Sequence, residues 1–356
     1  MPYRLSGCKL FRLGFRLHLF SIEQINRIKK ILIIQLGPFG DALLTTSYLG
    51  SLKKHLPDIK IYYLIKERYS KIIEHHPGID HIINLKEGRG WIYLWNRLQA
   101  IRAIRREYFD LVIDQQNMPS TQLITLLSGA RYRLGYEDAR FHQVYNLKAK
   151  RGPLRYSASR KFDILSPLGI QEEPFHLYFH IGDQAFAYID QWLKAGSYNP
   201  DQMIVISPGS PKVQKNWDLK QYARLADLIQ TRTHNKVILL WAPNEKDLVE
   251  KVASHMETNP IIAPPTNLNQ AAALLKRCKM LICNDGGLNH LSVTTQTLTL
   301  AIFGPTDPLV WSPASISPHH FHIHNPSFNS GQNNSFGVTA QEVFNKVEEI
   351  LKLQRV

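Results

Sequence analysis

Cysteine is scarce in this 356-residue chain: Cys8, Cys278 and Cys283 are too few for a disulfide framework, and their spacing fits no zinc pattern. A reducing compartment, the cytoplasm, is the expectation. Lys, Arg, Asp, Glu or His interrupts every apolar run before it reaches the roughly 18 residues of a membrane span. No transmembrane helix is expected. Acidic side chains are short in one half only: residues 1–180 hold 28 basic and 15 acidic side chains, so they carry nearly all of the net charge of +14. Such a one-sided field attracts polyanions such as nucleic acid, anionic lipid or a phosphorylated glycan, and salt weakens the attraction. A merely solvated basic face is the plainer alternative. With 44% hydrophobic and 20% charged residues, disorder is excluded as the main state, and the length suits two domains with separate cores.

The first 30 residues mix Leu10, Phe11, Leu13 and Phe15 with Lys9, Arg12, Arg16, Arg27, Lys29 and Lys30. They read as a basic amphipathic extension, either lying in the plane of an anionic leaflet or packed on the first domain. No long apolar core with a small-residue cleavage site marks a signal peptide. Ile31–Ile34 is a short continuous apolar run bounded by Gly37-Pro38 and reads as a buried parallel strand, with a helix following from Asp41 to His55. Further strands are expected at 60–65, 81–84 and 111–114, with helices near 69–75 and 94–108. The second half repeats the alternation, with strands at 203–207, 236–241, 280–284 and 299–303 and helical windows at 185–195, 218–232, 245–257 and 268–277. A final helix is expected over about 339–353, after a polar loop at 329–335. The economical reading is two doubly wound α/β domains, 31–180 and 181–337, with residues 338–356 carrying that final helix.

Ligands of open parallel sheets bind beyond the carboxyl ends of the strands, which directs attention to three turns. Gly37-Pro-Phe-Gly40-Asp41 lacks both the dinucleotide fingerprint and the P-loop Lys-Ser/Thr. It offers close backbone approach and a carboxylate that either caps the helix or takes a proton from an incoming hydroxyl. Ser207-Pro-Gly-Ser210, followed by Lys212 and Lys215, has the makings of a phosphate cradle. Asn284-Asp285-Gly286-Gly287-Leu288-Asn289-His290 follows a strand and opens a helix, where bare N–H groups suit a diphosphate. There Asp285 reads as orienting the loop and His290 as donating a hydrogen bond or packing. Phe303-Gly-Pro-Thr306-Asp-Pro308 adds a rigid turn of the same character. Together these imply a phosphorylated ligand between two domains.

Taken in order, Ile31–Thr46, Ser128–Tyr136, Ser207–Ser210 with Lys215 and Trp217, Asn284–His290 and Phe303–Pro308 resemble the glycosyltransferase family 9 heptosyltransferases, over roughly residues 30–353. The resemblance implies a GT-B architecture of two facing Rossmann-like domains with an interdomain cleft, the acceptor on the first and the nucleotide-sugar on the second. It also implies that the final helix crosses back to the first domain. It further implies inverting, metal-independent transfer of a heptose from ADP-heptose, with no cofactor, to a lipid-linked, acidic inner-core glycan of lipopolysaccharide at the cytoplasmic face of the inner membrane. By the same resemblance Asp41 is the general base. Lys215 faces the donor phosphates together with Ser210, Asp285, Gly286, Gly287, His290 and Thr306, and Glu245 holds the donor ribose. Gly40, Arg131, Arg133 and Arg140 fall on the acceptor side, with Lys161 a further cation there. The chain departs from the family at Gly286, where relatives often carry a hydroxyl residue, and at Ala242 in place of a glycine. No Asp-x-Asp metal motif of the other large transferase class occurs.

Other clusters read more plainly. His319, His320, His322 and His324 suit a loop entering a strand better than a metal tract. Trp91, Tyr93 and Trp95 with Arg89 and Arg97 read as half core and half surface. No RNA-binding signature accompanies them, so nucleic acid is not expected as a partner. The alternatives to this enzyme are a same-fold transferase using another nucleotide-sugar, and a non-catalytic module that binds a nucleotide-sugar or acidic glycan.

Overall fold

The computed structural model describes residues 27–328 and 335–353. The amphipathic extension, Cys8 and most of the polar loop at 329–335 lie outside those residues. In the first half β1 (Lys30–Ile34), α1 (Phe39–Thr45), α2 (Leu49–His55), β2 (Lys60–Lys66), β3 (His81–Leu85), α3 (Gly90–Arg106), β4 (Leu111–Asp114), α4 (Pro119–Leu127), β5 (Tyr132–Tyr136), β6 (Leu147–Ala149) and α5 (Ser157–Arg160) follow in order. The second half holds α6 (Asp183–Ala195), β7 (Met203–Ser207), α7 (Leu219–Arg232), β8 (Lys236–Leu239), α8 (Lys246–Ser254), β9 (Ile261–Ile262), α9 (Leu268–Arg277), β10 (Met280–Asn284), α10 (Gly287–Thr295), β11 (Leu298–Phe303), α11 (Pro308–Trp311), β12 (His320–His324) and α12 (Ala340–Leu353).

The two six-stranded sheets have the orders β3-β2-β1-β4-β5-β6 and β12-β11-β10-β7-β8-β9. Every pairing is parallel. Each order reverses direction once, between β1 and β4 and between β7 and β10, so each sheet has a single switch point where a crevice opens at the strand ends. The continuous apolar runs are explained by burial on both faces. Ile31 and Ile33 pack with Leu43, Leu49 and Leu52, while Leu32 and Ile34 pack with Ile101 and Ile104 of α3. The cluster containing Ile31 continues through Leu291 and Phe303, joining the two halves in one apolar body.

Several expectations are corrected. The helix expected from Asp41 to His55 is two helices joined by a tight turn over Thr46–Tyr48. The hydroxyls of Thr45 and Thr46 bond back to the carbonyls of Asp41 and Leu43, both at 2.7 Å, and such back-bonding bends helices. The expected helix near 69–75 is a 3₁₀ stretch, Glu67–Ile72. The final helix does not cross back: Val343, Phe344, Val347 and Ile350 pack with Tyr222, Ala226 and Ile229 of α7, and Ala340 N donates to Gln221 Oε1. The tryptophan-rich start of α3 is not half core, because Trp91, Tyr93 and Trp95 are all exposed. The histidine run forms β12, where His320 bonds Ser292 and Ser317 and His322 bonds Ser312. Cys278 and Cys283 are buried free thiols. Among the described residues no helix is long and apolar enough to cross a membrane.

Candidate active site

The turns leaving β1 and β10 meet across the gap between the sheets. Gly37 has φ of +110°, a conformation that L side chains rarely adopt, and Gln35 Nε2 donates to its carbonyl. Gln116, from the turn after β4, accepts from Gln35 Nε2 and from Leu36 N, which fixes the approach to α1. No side chain caps α1, so Asp41 is not its cap. Its carboxylate instead accepts from Lys161 Nζ at 3.2 Å, from the stretch after α5. Lys161 is nearly buried while Asp41 stays 31% exposed, which leaves one carboxylate oxygen for an incoming group. Burial pushes the Lys161 ammonium down from its ordinary range and the adjoining Asp41 carboxylate pulls it back up, with Arg151 and Arg160 acting downward through space.

Facing α1 is the amino end of α10, also without a side-chain cap. Contact between the two ends is reciprocal. A Cβ on Gly287 would overlap the Phe39 ring, and one on Gly40 would stand 3.3 Å from His290 Cδ2. Each domain therefore gives a glycine where the other gives a ring. His290 is buried, shares a 3.0 Å hydrogen bond with Tyr156 of the first half through Nδ1, and packs near Trp311. Burial pushes it down to about 4, against the pull of Asp285 and Asp41, so the imidazole is neutral at pH 7.

Behind α10 lies an anchored cation. Asp285, 2% exposed, accepts from Lys215 Nζ and from Thr306 Oγ1 at 2.7 Å, so the carboxylate aims the lysine rather than confronting an anion itself. Lys215 also lies over the Trp311 ring, 5.7 Å from its centroid. Asn284 ties this turn to the one after β7. Its amide donates to Pro208 O, and its oxygen accepts from Trp217 N and Tyr222 OH. Ser210 Oγ lies near Gly286, 3.9 Å from where a Cβ would stand. Glu245 Oε2 accepts from Ala242 N and lies against Gly209, where even a methyl group would collide with it.

The fold thus brings together Gly40, Asp41, Ser210, Lys215, Asp285, Gly286, Gly287, His290 and Thr306, with Glu245 beside the Gly209 turn. It does not bring Arg131 and Arg133 there. Both stand toward the amino end of β5, whereas the cleft opens at the carboxyl ends. Arg133 gives its guanidinium to the carbonyls of Val144 and Ala130, and Arg131 lies over the Tyr132 ring. Arg140 follows the carboxyl end of β5, exposed beside Phe141. Nothing near Tyr156 or Trp311 in the chain announces their partners, and Lys161, an acceptor-side cation by sequence, is in the structure the partner of Asp41.

The model of glycosyltransferase family 9 (heptosyltransferase) matches residues 97–337. Lipopolysaccharide heptosyltransferase 3 of Escherichia coli (strain K12) is 26% identical over 284 residues, 77% of this chain and 82% of that protein. The structure of the family 9 glycosyl transferase from Veillonella parvula aligns with a TM-score of 0.78 at 23% identity, covering 92% of this chain and 98% of that one. E. coli ADP-heptose lps heptosyltransferase II aligns at 0.74 and 19%, covering 92% and 100%. The two parallel sheets are those of a GT-B fold. With the family model spanning most of the chain and the paired glycine turns in register, the protein belongs to glycosyltransferase family 9 and is a glycosyltransferase.

Proposed function

We propose that the enzyme transfers a heptose from ADP-heptose to an acidic inner-core acceptor of lipopolysaccharide, with inversion and without a metal ion. The observation that carries this reading is the open Asp41 carboxylate across a glycine-lined gap from the Lys215–Asp285–Thr306 anchor. A sugar hydroxyl is a poor nucleophile at neutral pH, and proton removal as it attacks C1 lowers the barrier. Asp41 takes that proton as the new C1–O bond forms. The bond from C1 to the diphosphate breaks, and the electron pair leaves on the β-phosphate oxygen. Lys215 and the first N–H groups of α10 meet that charge, the place of a cation in other transferases. The other carboxylate at the gap, Asp285, is buried and committed to Lys215 and Thr306, which supports a single displacement and hence inversion.

On the donor side, Glu245 beside Gly209 is suited to the ribose hydroxyls and Ser210 to a phosphate oxygen. On the acceptor side, Arg140, Arg151 and Arg160 supply positive charge for carboxylates and phosphates. E. coli lipopolysaccharide heptosyltransferase 3 and ADP-heptose lps heptosyltransferase II are named for this chemistry, which supports the donor and the acceptor class. Asp41→Asn keeps the shape of the side chain and removes the base. Its kcat should fall by about 10²–10⁴ while calorimetric ADP-heptose affinity is retained. Wild-type turnover in that variant refutes the base, and turnover lost on adding a chelator refutes metal independence.

A further inference from the structure

The amino-terminal half of α3 carries an apolar face that none of the described residues covers. Its inner face packs on the sheet only through Ala100, Ile101 and Ile104. Before them, Trp91 is 72%, Leu94 66% and Trp95 48% exposed, and Leu98 is exposed as well. These four recur at helical spacing, so they share one side. The neighbouring helix α4 exposes Leu123 and Leu126 as well. The two helices are tied where Arg105 donates to Leu127 O. A stripe of this extent is uncommon on a chain that leaves it in water.

Charge identifies what covers it. Residues 86–106 contain six basic side chains and one acidic, and that acid, Glu87, is paired with Lys66 and Arg68. Arg102 lies 5.8 Å from the centroid of the Trp95 ring, so a cation borders the apolar stripe itself, and Arg97, over the Tyr93 ring, adds charge to the flank of the helix. Tryptophan with aliphatic side chains inside a cationic rim matches the boundary between acyl chains and anionic headgroups. The chain's own first 26 residues are a poor cover: with four basic side chains and one acidic they carry the same sign.

We propose that the α3–α4 face docks the enzyme on an anionic lipid leaflet. Both helices begin at the carboxyl ends of β3 and β4, the edge on which Asp41 also lies, so a leaflet at this face brings a lipid-anchored acceptor to the cleft. That consequence rests on the acceptor proposed above; the docking does not.

The test is flotation of the full chain with phosphatidylglycerol-rich vesicles against pure phosphatidylcholine vesicles, without donor or acceptor. The enzyme is expected to float with the former only. The triple variant Trp91→Glu, Leu94→Glu, Trp95→Glu should lower vesicle partitioning at least about tenfold. Its turnover on a deacylated, water-soluble acceptor should stay unchanged. Equal flotation of wild type and triple variant overturns the proposal, as does a loss produced only by deleting residues 2–26. Absence of flotation, indifference to lipid charge, release by single-stranded oligonucleotide, or a wild-type dimer that the triple variant abolishes each overturn it too. Flotation with no turnover on any acceptor would refute the acceptor reading and leave the docking standing.

Discussion

At the scale of single residues, the site is a set of charges whose partners lie far away in the chain. Lys215 and Asp285 form a buried pair, and breaking such a pair from one side leaves an uncompensated charge that costs about 3–5 kcal/mol. Lys215→Met should therefore lower stability in urea melts by that order, and Lys215→Met with Asp285→Asn should recover most of it, while neither restores turnover. Lys161→Met behaves differently because Asp41 remains partly in water. Its Tm should not fall, yet kcat should drop by about tenfold or more as the carboxylate loses its positioning partner. Asp41, Lys215 and Asp285 were legible in the sequence because each stands in or just after a glycine-containing turn that ends an apolar run. The Lys161–Asp41 bond joins residues 120 apart and has no local signature. Arg131 and Arg133 misled for the same reason, since the carbonyls that occupy Arg133 are fixed by a loop no pattern announces.

At the scale of elements, the decisive event is the meeting of α1 with α10. Gly287→Ala places a methyl group against the Phe39 ring and should push the two helix ends apart, lowering turnover by about tenfold or more. Phe39→Ala combined with it makes room and should recover part of the rate, a sign of steric coupling that steady-state kinetics on the four variants reads out. Strands β1, β7, β10 and β11 were readable because burial on both faces demands unbroken apolar runs. Strands β5 and β6 were not: Arg133 and Gly135 interrupt one and the other is three residues long. The destination of α12 was equally hidden, because an amphipathic helix states that it has a buried face without stating which partner buries it.

At the scale of the whole molecule, buried neutral histidines make stability depend on pH. His76 and His290 are pushed down to about 4 and His320 to about 3, all by burial. Each remains unprotonated in the fold at pH values where the unfolded chain takes up a proton, so their contribution is complete above about 6.5 and is lost as pH falls toward 4. Asp114, pushed up to about 6 by burial, works in the other direction, adding stability as pH falls through that value. Three groups outweigh one. Unfolding free energies from urea melts should fall by a few kcal/mol, order of magnitude, between pH 7 and pH 5, with His322, also pushed down by burial, acting in the same direction. His320→Gln should flatten that slope, and an unchanged slope contradicts the burial of this ring.

The reciprocal seating of a ring against a glycine at both ends of the gap has a consequence for how the halves are tethered. Phe39 on Gly287 and His290 on Gly40 are two stops that hold the turn bearing Asp41 against the turn bearing Asp285. Inert spacer residues inserted beside exposed Gln171, ahead of buried Leu177 and Phe179, should therefore leave turnover unchanged.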